Sequence, residues 1–210
     1  MLTLYIARHG QTEWNIEKRM QGWENSDLTA LGLANAKALG EKLKDVQFQA
    51  AYVSTSGRAV DSARAILKGR SISFVQDDIF KEIGLGSWEG KTYDEIKQHD
   101  PAMLEAYFQT PEQYMPNGGE SFQDFERRVR QALALILKKH EEGNVLLVSH
   151  SVFILMLLNI VKKRPIRELW NSSYVHDTAL AVVSISEEGS AVILKEGDGE
   201  HRIKQTNVIW

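Results

Sequence analysis

No cysteine occurs among the 210 residues. Disulfide frameworks, thiolate metal sites and a cysteine nucleophile are therefore excluded. The absence fits a reducing compartment, and a cytoplasmic location is the expectation. Lys and Arg form no run long enough to make a phosphate-backbone stripe, and the net charge is −3, which argues against nucleic acid as a main partner. Long apolar runs are also missing. The longest, 145–161, is broken by Ser149, His150, Ser151 and Asn159 and falls short of the roughly 20 residues a spanning helix needs, so no membrane partner is expected. It reads as a buried strand running into a buried helix. No basic leader precedes the first apolar segment, so a secretory signal is not expected. Proline is scarce, and three of the four (Pro101, Pro111 and Pro116) fall close together.

What is present is an ordinary soluble composition, 43% apolar and 25% charged, enough for a large core. No repeat, low-complexity linker or shift in composition divides the chain, so 1–210 is expected to be one domain; no feature specifies an oligomeric state. Segments 2–7, 50–54, 72–76, 144–149, 177–186 and 191–195 read as strands, the last two joined by a turn at 187–190. Apolar residues at helical spacing predict helices over 29–45, 57–68, 121–141 and 151–162, with shorter ones near 92–99 and 101–109. Strand and helix alternate. The fold class is therefore α/β, a three-layer sandwich with a mostly parallel central sheet flanked by helices. The Gly- and Pro-rich segment 81–120 reads as an insertion covering the site.

Ligands bind beyond the carboxyl ends of parallel strands. Here those ends carry Arg8-His9-Gly10, then Ser54-Thr55-Ser56-Gly57-Arg58, then Ser149-His150-Ser151. Two histidines and two arginines from three strands can thus meet on one rim. The simplest ligand for that set is a phosphate group, gripped by paired hydrogen bonds from two guanidiniums. Neighbouring arginines favour a neutral imidazole, which can bind the phosphate or attack it. Its second ring nitrogen can be held by a backbone carbonyl, and Gly10 is read as allowing a tight turn after the strand. Taken singly, each residue reads equally well as structural.

The stretches LYIARHGQTEWN, VSTSGRAVDSA, EIGLGSWEGKT, GGESFQDFERRV and VLLVSHS occur in this order along nearly the whole chain. Together they resemble the motifs of the histidine phosphatase superfamily, the branch holding cofactor-dependent phosphoglycerate mutases and small broad-specificity phosphatases. The length is closer to the small phosphatases. The resemblance implies a nucleophile at His9 that becomes phosphohistidine, a phosphoryl grip by Arg8 and Arg58, and charge stabilisation by His150. It implies further phosphate donors at Asn15 and Gln21, and a proton donor at Glu82. The role fits Glu82 chemically, since a departing alkoxide needs a proton and a carboxyl beside an anionic phosphate is pushed toward its protonated form. Glu89 is the reserve candidate.

Two positions depart from the family pattern. Ser151 stands where glycine is usual; its backbone amide is kept, and the added hydroxymethyl either crowds the pocket, donates a hydroxyl to the substrate, or changes little. Gln11 stands where glutamate is common, which makes the pocket mouth less negative. The implied activity is hydrolysis of small phosphorylated metabolites without cofactor or metal, because arginines repel a cation and no carboxylate pair completes a site. The alternatives are a phosphoglycerate mutase, a dedicated metabolite phosphatase such as one for α-ribazole phosphate, or a phosphate-binding protein without turnover. Tyr107, Phe108, Tyr114 and Met115 are expected on the leaving-group side. Trp14, Trp23 and Trp88 are read as packing under loops, with a stacking surface for an aromatic leaving group as the alternative. His99, His140 and His201 are read as surface residues, and His176 as having no catalytic part.

Overall fold

The computed structural model describes residues 1–172 and 175–203. Six strands form one sheet: β1 (Leu2–Arg8), β2 (Phe48–Ser54), β3 (Phe74–Asp77), β4 (Gly143–Ser149), β5 (Leu180–Ile185) and β6 (Ala191–Asp198). Their order is β3-β2-β4-β1-β5-β6. The first four run parallel; β5 is antiparallel to both its neighbours. The register pairs Arg8 with Ser149 and Val53 with Val148, so β1, β2 and β4 end level at one edge of the sheet.

The near-continuous apolar runs of β1 and β4 follow from burial on both faces. Leu4, Ile6, Val145 and Leu147 enter one cluster with α6 (Phe122–Lys139) and α7 (Ser151–Val161). Ala7, Val53, Leu146 and Val148 enter another with α2 (Ala30–Lys42) and α3 (Gly57–Ile66). These are the three layers expected from the sequence. Thr29 and Ser121 cap α2 and α6 by accepting from Gly32 N–H and Asp124 N–H, which sets both starts one residue inside the predicted ones.

Strand β5 begins at Leu180, not 177. The chain turns at Thr178, whose φ of +54° no strand accommodates, and the Asp177 carboxylate accepts from Asn35 and Arg202. A short helix not foreseen, α1 (Glu13–Ile16), follows β1, and a 3₁₀ segment spans Ile166–Asn171. Segment 81–120 carries α4 (Tyr93–His99) and α5 (Pro101–Gln109) and sends Ile83, Leu85, Trp88, Ile96 and Tyr107 into the α6–α7 cluster. Among the described residues no helix is long and apolar enough to cross a membrane.

Candidate active site

The end of β1 is locked into its neighbours. Arg8 Nη1 donates to the Val175 carbonyl at 2.7 Å, and the His9 amide donates to the Ser149 carbonyl at 3.0 Å. His9 Nδ1 lies 2.7 Å from the Gly10 carbonyl oxygen. A carbonyl only accepts, so Nδ1 carries the hydrogen and Nε2 keeps a lone pair. The Gly10 amide in turn donates to Ser62 Oγ at 2.8 Å, and that hydroxyl donates to the Arg58 carbonyl at 2.7 Å. Gly10 is needed for a reason other than the expected turn. Its backbone is not left-handed, but a Cβ there would sit 2.5 Å from the Gly32 carbonyl oxygen, so only glycine lets this loop lie against the start of α2.

Burial, then the charges of Arg58 and Arg8, hold the His9 imidazole well below the usual histidine range; the bond to Gly10 opposes this in part. Burial and Arg58 do the same to His150. Both rings are therefore neutral at pH 7. Their centroids are 5.2 Å apart with planes at 61°. His150 is fully buried beside His9; its Nε2 is 2.7 Å from Ser54 Oγ and its Nδ1 has no hydrogen-bond partner. Arg58, only 1% exposed, donates from Nη1 to the Glu24 carbonyl at 2.5 Å and from Nη2 to the Gly22 carbonyl at 2.8 Å, leaving Nε unpaired. Burial pushes its pKa down to about 10, an effect Glu82 offsets in part, so it remains a cation at neutral pH.

The loop after β1 supplies two amides. Asn15 Oδ1 accepts from the Thr12 amide and hydroxyl at 3.0 and 3.1 Å, as the N3 residue of a capping box on α1. That fixes which way the amide is turned and leaves its NH2 group for a ligand. Gln21 Nε2 donates to Thr12 Oγ1 at 2.9 Å, and its buried Oε1 has no partner.

Glu82 reaches in from the opposite wall, 7% exposed, with its carboxylate seated on the first turn of α7. Oε1 accepts from the Phe153 and Ile83 amides at 3.0 and 3.1 Å; Oε2 accepts from the Val152 amide at 3.0 Å and from Ser151 Oγ at 3.2 Å. The helix dipole adds to these bonds. Ser151 thus turns its hydroxyl onto the carboxylate at the cavity lining.

These groups surround a cavity of about 550 Å³. Arg8, His9, Asn15, Gln21, Arg58, Glu82 and Ser151 all line it; His150 does not, and meets the site through the edge-on contact of its buried ring with that of His9. Part of its lining is apolar and aromatic. Tyr107 and Phe108 lie there as expected, together with Ile83, Leu85, Leu155 and Trp170, which sequence reasoning missed. Lys18, Arg19 and His176 also line it. Tyr114 and Met115 do not: Tyr114 is buried against Trp88 with ring centroids 5.2 Å apart, and Met115 is 75% exposed. Trp88 is core, Trp14 lines the cavity, and Trp23 is half exposed with its indole N–H on the Glu82 carbonyl at 2.9 Å. Glu89 is a brace, accepting from the Leu85 and Trp23 amides at 2.9 and 3.0 Å. His140 and His201, expected on the surface, are partly buried and bonded to the Tyr52 and Thr178 hydroxyls at 2.8 and 3.1 Å. Among the described residues no group of three or more His, Asp or Glu could hold a metal ion.

Chemically, the arrangement offers a neutral nitrogen nucleophile among guanidinium and amide donors, with a carboxyl across the cavity. The profile of the histidine phosphatase superfamily (branch 1) matches residues 4–196. A protein named probable phosphoglycerate mutase GpmB, from Enterobacter sp. (strain 638), is 31% identical over 165 residues, covering 79% of this chain and 77% of that protein. The solved structure of Bacillus stearothermophilus YhfR superposes with a TM-score of 0.93 at 41% identity, covering 97% of this chain and all of that one. The α-ribazole phosphatase from Shigella flexneri superposes with a TM-score of 0.86 at 26% identity, covering 94% and 96%.

Proposed function

The chain belongs to the histidine phosphatase superfamily, branch 1, and from that membership and the geometry of the cavity we propose that it hydrolyses small organic phosphate monoesters through a phosphohistidine on His9. The observation that carries the reading is the tautomer of His9. With Nδ1–H held by the Gly10 carbonyl, Nε2 has its lone pair free beside two guanidiniums. In the first step Nε2 bonds to phosphorus, the ester P–O bond breaks, and Glu82 gives its proton to the departing alkoxide. In the second, Glu82 takes a proton from water, the water oxygen bonds to phosphorus, and the N–P bond breaks. Arg8, Arg58, Asn15 and Gln21 balance the phosphoryl charge throughout, with His150 completing the cup beside His9. This is catalysis by preorganised dipoles and charges, and it asks for no metal.

The aromatic side chains in the lining, Tyr107, Phe108 and Trp170, support a bulky organic leaving group over a compact, strongly anionic one, and so a phosphatase of relaxed specificity over a mutase. Small phosphorylated metabolites are the proposed substrates, in the cytoplasm. Ser151 supports turnover over mere phosphate binding, since its hydroxyl braces the proton donor.

The test has two parts. Acid-labile phosphate should be trapped on the wild-type protein after a rapid quench and be missing from His9→Ala, whose turnover should vanish; near-normal activity in His9→Ala would overturn the reading. With 3-phosphoglycerate the products should be inorganic phosphate and glycerate. Accumulation of 2-phosphoglycerate would make the protein a mutase.

A further inference from the structure

The motif GGESFQDFERRV contributes no residue to the cavity, yet two of its side chains hold the segment that carries Glu82. Arg128, on α6, uses all five of its N–H donors. Nε and Nη2 form a fork onto the Glu120 carboxylate at 2.8 and 2.6 Å. Nη1 donates to the Ile79 and Lys81 carbonyls at 3.0 and 2.7 Å, and Nη2 donates also to the Glu82 carbonyl at 2.9 Å. Three carbonyls, of the proposed proton donor and of residues just before it, are therefore gripped by one planar group. Glu120 closes the clamp from the other side, since its Oε2 accepts from the Gly84 amide at 2.9 Å. The pair is largely removed from solvent, with 15% and 16% of the two side chains exposed. Gly119 permits the approach, because a Cβ there would meet the Gly84 carbonyl oxygen at 2.3 Å.

We infer that the Arg128–Glu120 pair is a positioning device for Glu82, fixing its main chain from α6 while the first turn of α7 holds its carboxylate. The inference rests on Glu82 being the proton donor. Proton transfer depends steeply on donor–acceptor geometry, and small displacements are costly. Lysine cannot replace the arginine, having three donors and no planar fork.

A leaving-group comparison separates positioning from folding. An unactivated alkyl phosphate needs its alkoxide protonated; 4-nitrophenyl phosphate, which releases a stable phenolate, does not. The value of kcat/KM reports only the steps up to phosphorylation of His9, so it isolates proton donation from the later use of Glu82 as a base. For Arg128→Lys and for Glu120→Gln, kcat/KM on the alkyl ester should fall at least about tenfold more than on the nitrophenyl ester, in the direction shown by Glu82→Gln. Vanadate affinity should stay within about twofold of wild type, since the anion cup is untouched. Equal losses on the two esters, or a fall confined to melting temperature, would reduce the clamp to a structural brace. If Glu82→Gln discriminates between the esters and the clamp variants do not, this inference alone falls. If Glu82→Gln does not discriminate, the proton-donor reading falls and takes the clamp with it.

Discussion

Replacing Ser151 tests how finely the carboxylate of Glu82 must be held. The carboxylate has four donors, and Ser151 Oγ is the longest of them at 3.2 Å. Ser151→Ala removes that one and keeps the amides of Ile83, Val152 and Phe153 at 3.1, 3.0 and 3.0 Å. A well-formed hydrogen bond to a charged group contributes about 1.5–3 kcal/mol, and a long one backed by three others should contribute about 1 kcal/mol, or roughly fivefold in rate. Ser151→Gly removes the same hydroxyl and also loosens the first turn of α7, at about 1 kcal/mol of stability relative to alanine. The two variants should therefore share a roughly fivefold loss in kcat/KM on alkyl phosphates and much less on 4-nitrophenyl phosphate. The glycine variant should melt about 2–4 °C below the alanine one. Kinetics on both esters and a thermal melt supply the readings. If either variant gained activity on bulky esters, the hydroxymethyl would be an obstruction and the bracing argument would be wrong.

Three further expectations follow from the charge and shape of the cavity. Burial holds His9 and His150 below the ordinary histidine value, so the unfolded chain binds protons that the native chain does not once the pH falls below about 6.5. Stability should therefore decline on acidification at up to about 1.4 kcal/mol per pH unit for each ring, and His150→Gln should flatten the slope of urea-denaturation free energy by about half a proton on average between pH 7.5 and 5.5, approaching one proton at the acid end. Vanadate at a hundred times its Kd should stabilise the fold by about 2.7 kcal/mol and raise the melting temperature by roughly 5–10 °C; an unchanged melt would mean that the cup binds no phosphate-like anion. Phe108→Ala opens the aromatic wall and should lower kcat/KM for phenyl phosphate about tenfold while leaving a three-carbon phosphate ester within about twofold; equal changes on both would exclude Phe108 from leaving-group contact.

The layers and the strand ends were legible because they depend on patterns the chain carries locally. The apolar run from Val145 to Leu158 declares a strand and helix buried on all sides, and Arg8, His9 and His150 stand at strand ends that the parallel topology must bring together, with Arg58 in the first turn of the helix that follows β2. Errors arose where a backbone conformation or a distant packing partner decides. Thr178 turns the chain in the left-handed region with no glycine to announce it, so the expected strand starts three residues before β5 does. Trp170 lines the cavity from a 3₁₀ segment whose spacing signals nothing, held by an indole N–H bond to the Tyr107 carbonyl at 2.6 Å. Gly10 announced flexibility, but what it supplies is a missing side chain opposite Gly32.

Arg58 and Arg128 show what satisfaction of hydrogen bonds reveals beyond residue type. Both are largely buried arginines in motif segments, and both touch main-chain carbonyls near the site. Arg128 has a partner for every N–H, so nothing remains with which to bind a ligand, and it can act only by holding. Arg58 has an unpaired buried Nε, His150 beside it an unpaired buried Nδ1, and Gln21 an unpaired buried Oε1. Leaving such groups without partners costs roughly 1–3 kcal/mol each, and folded chains rarely tolerate it. Arg58 Nε can only donate and His150 Nδ1 can donate, so both suit the oxygens of the proposed phosphoryl group, whereas the Gln21 amide oxygen only accepts and calls for a donor instead. Burial and the charges of Arg58 and Arg8 keep the His9 imidazole neutral, so the guanidiniums proposed to grip the phosphoryl group are also those that leave Nε2 its lone pair for the proposed attack.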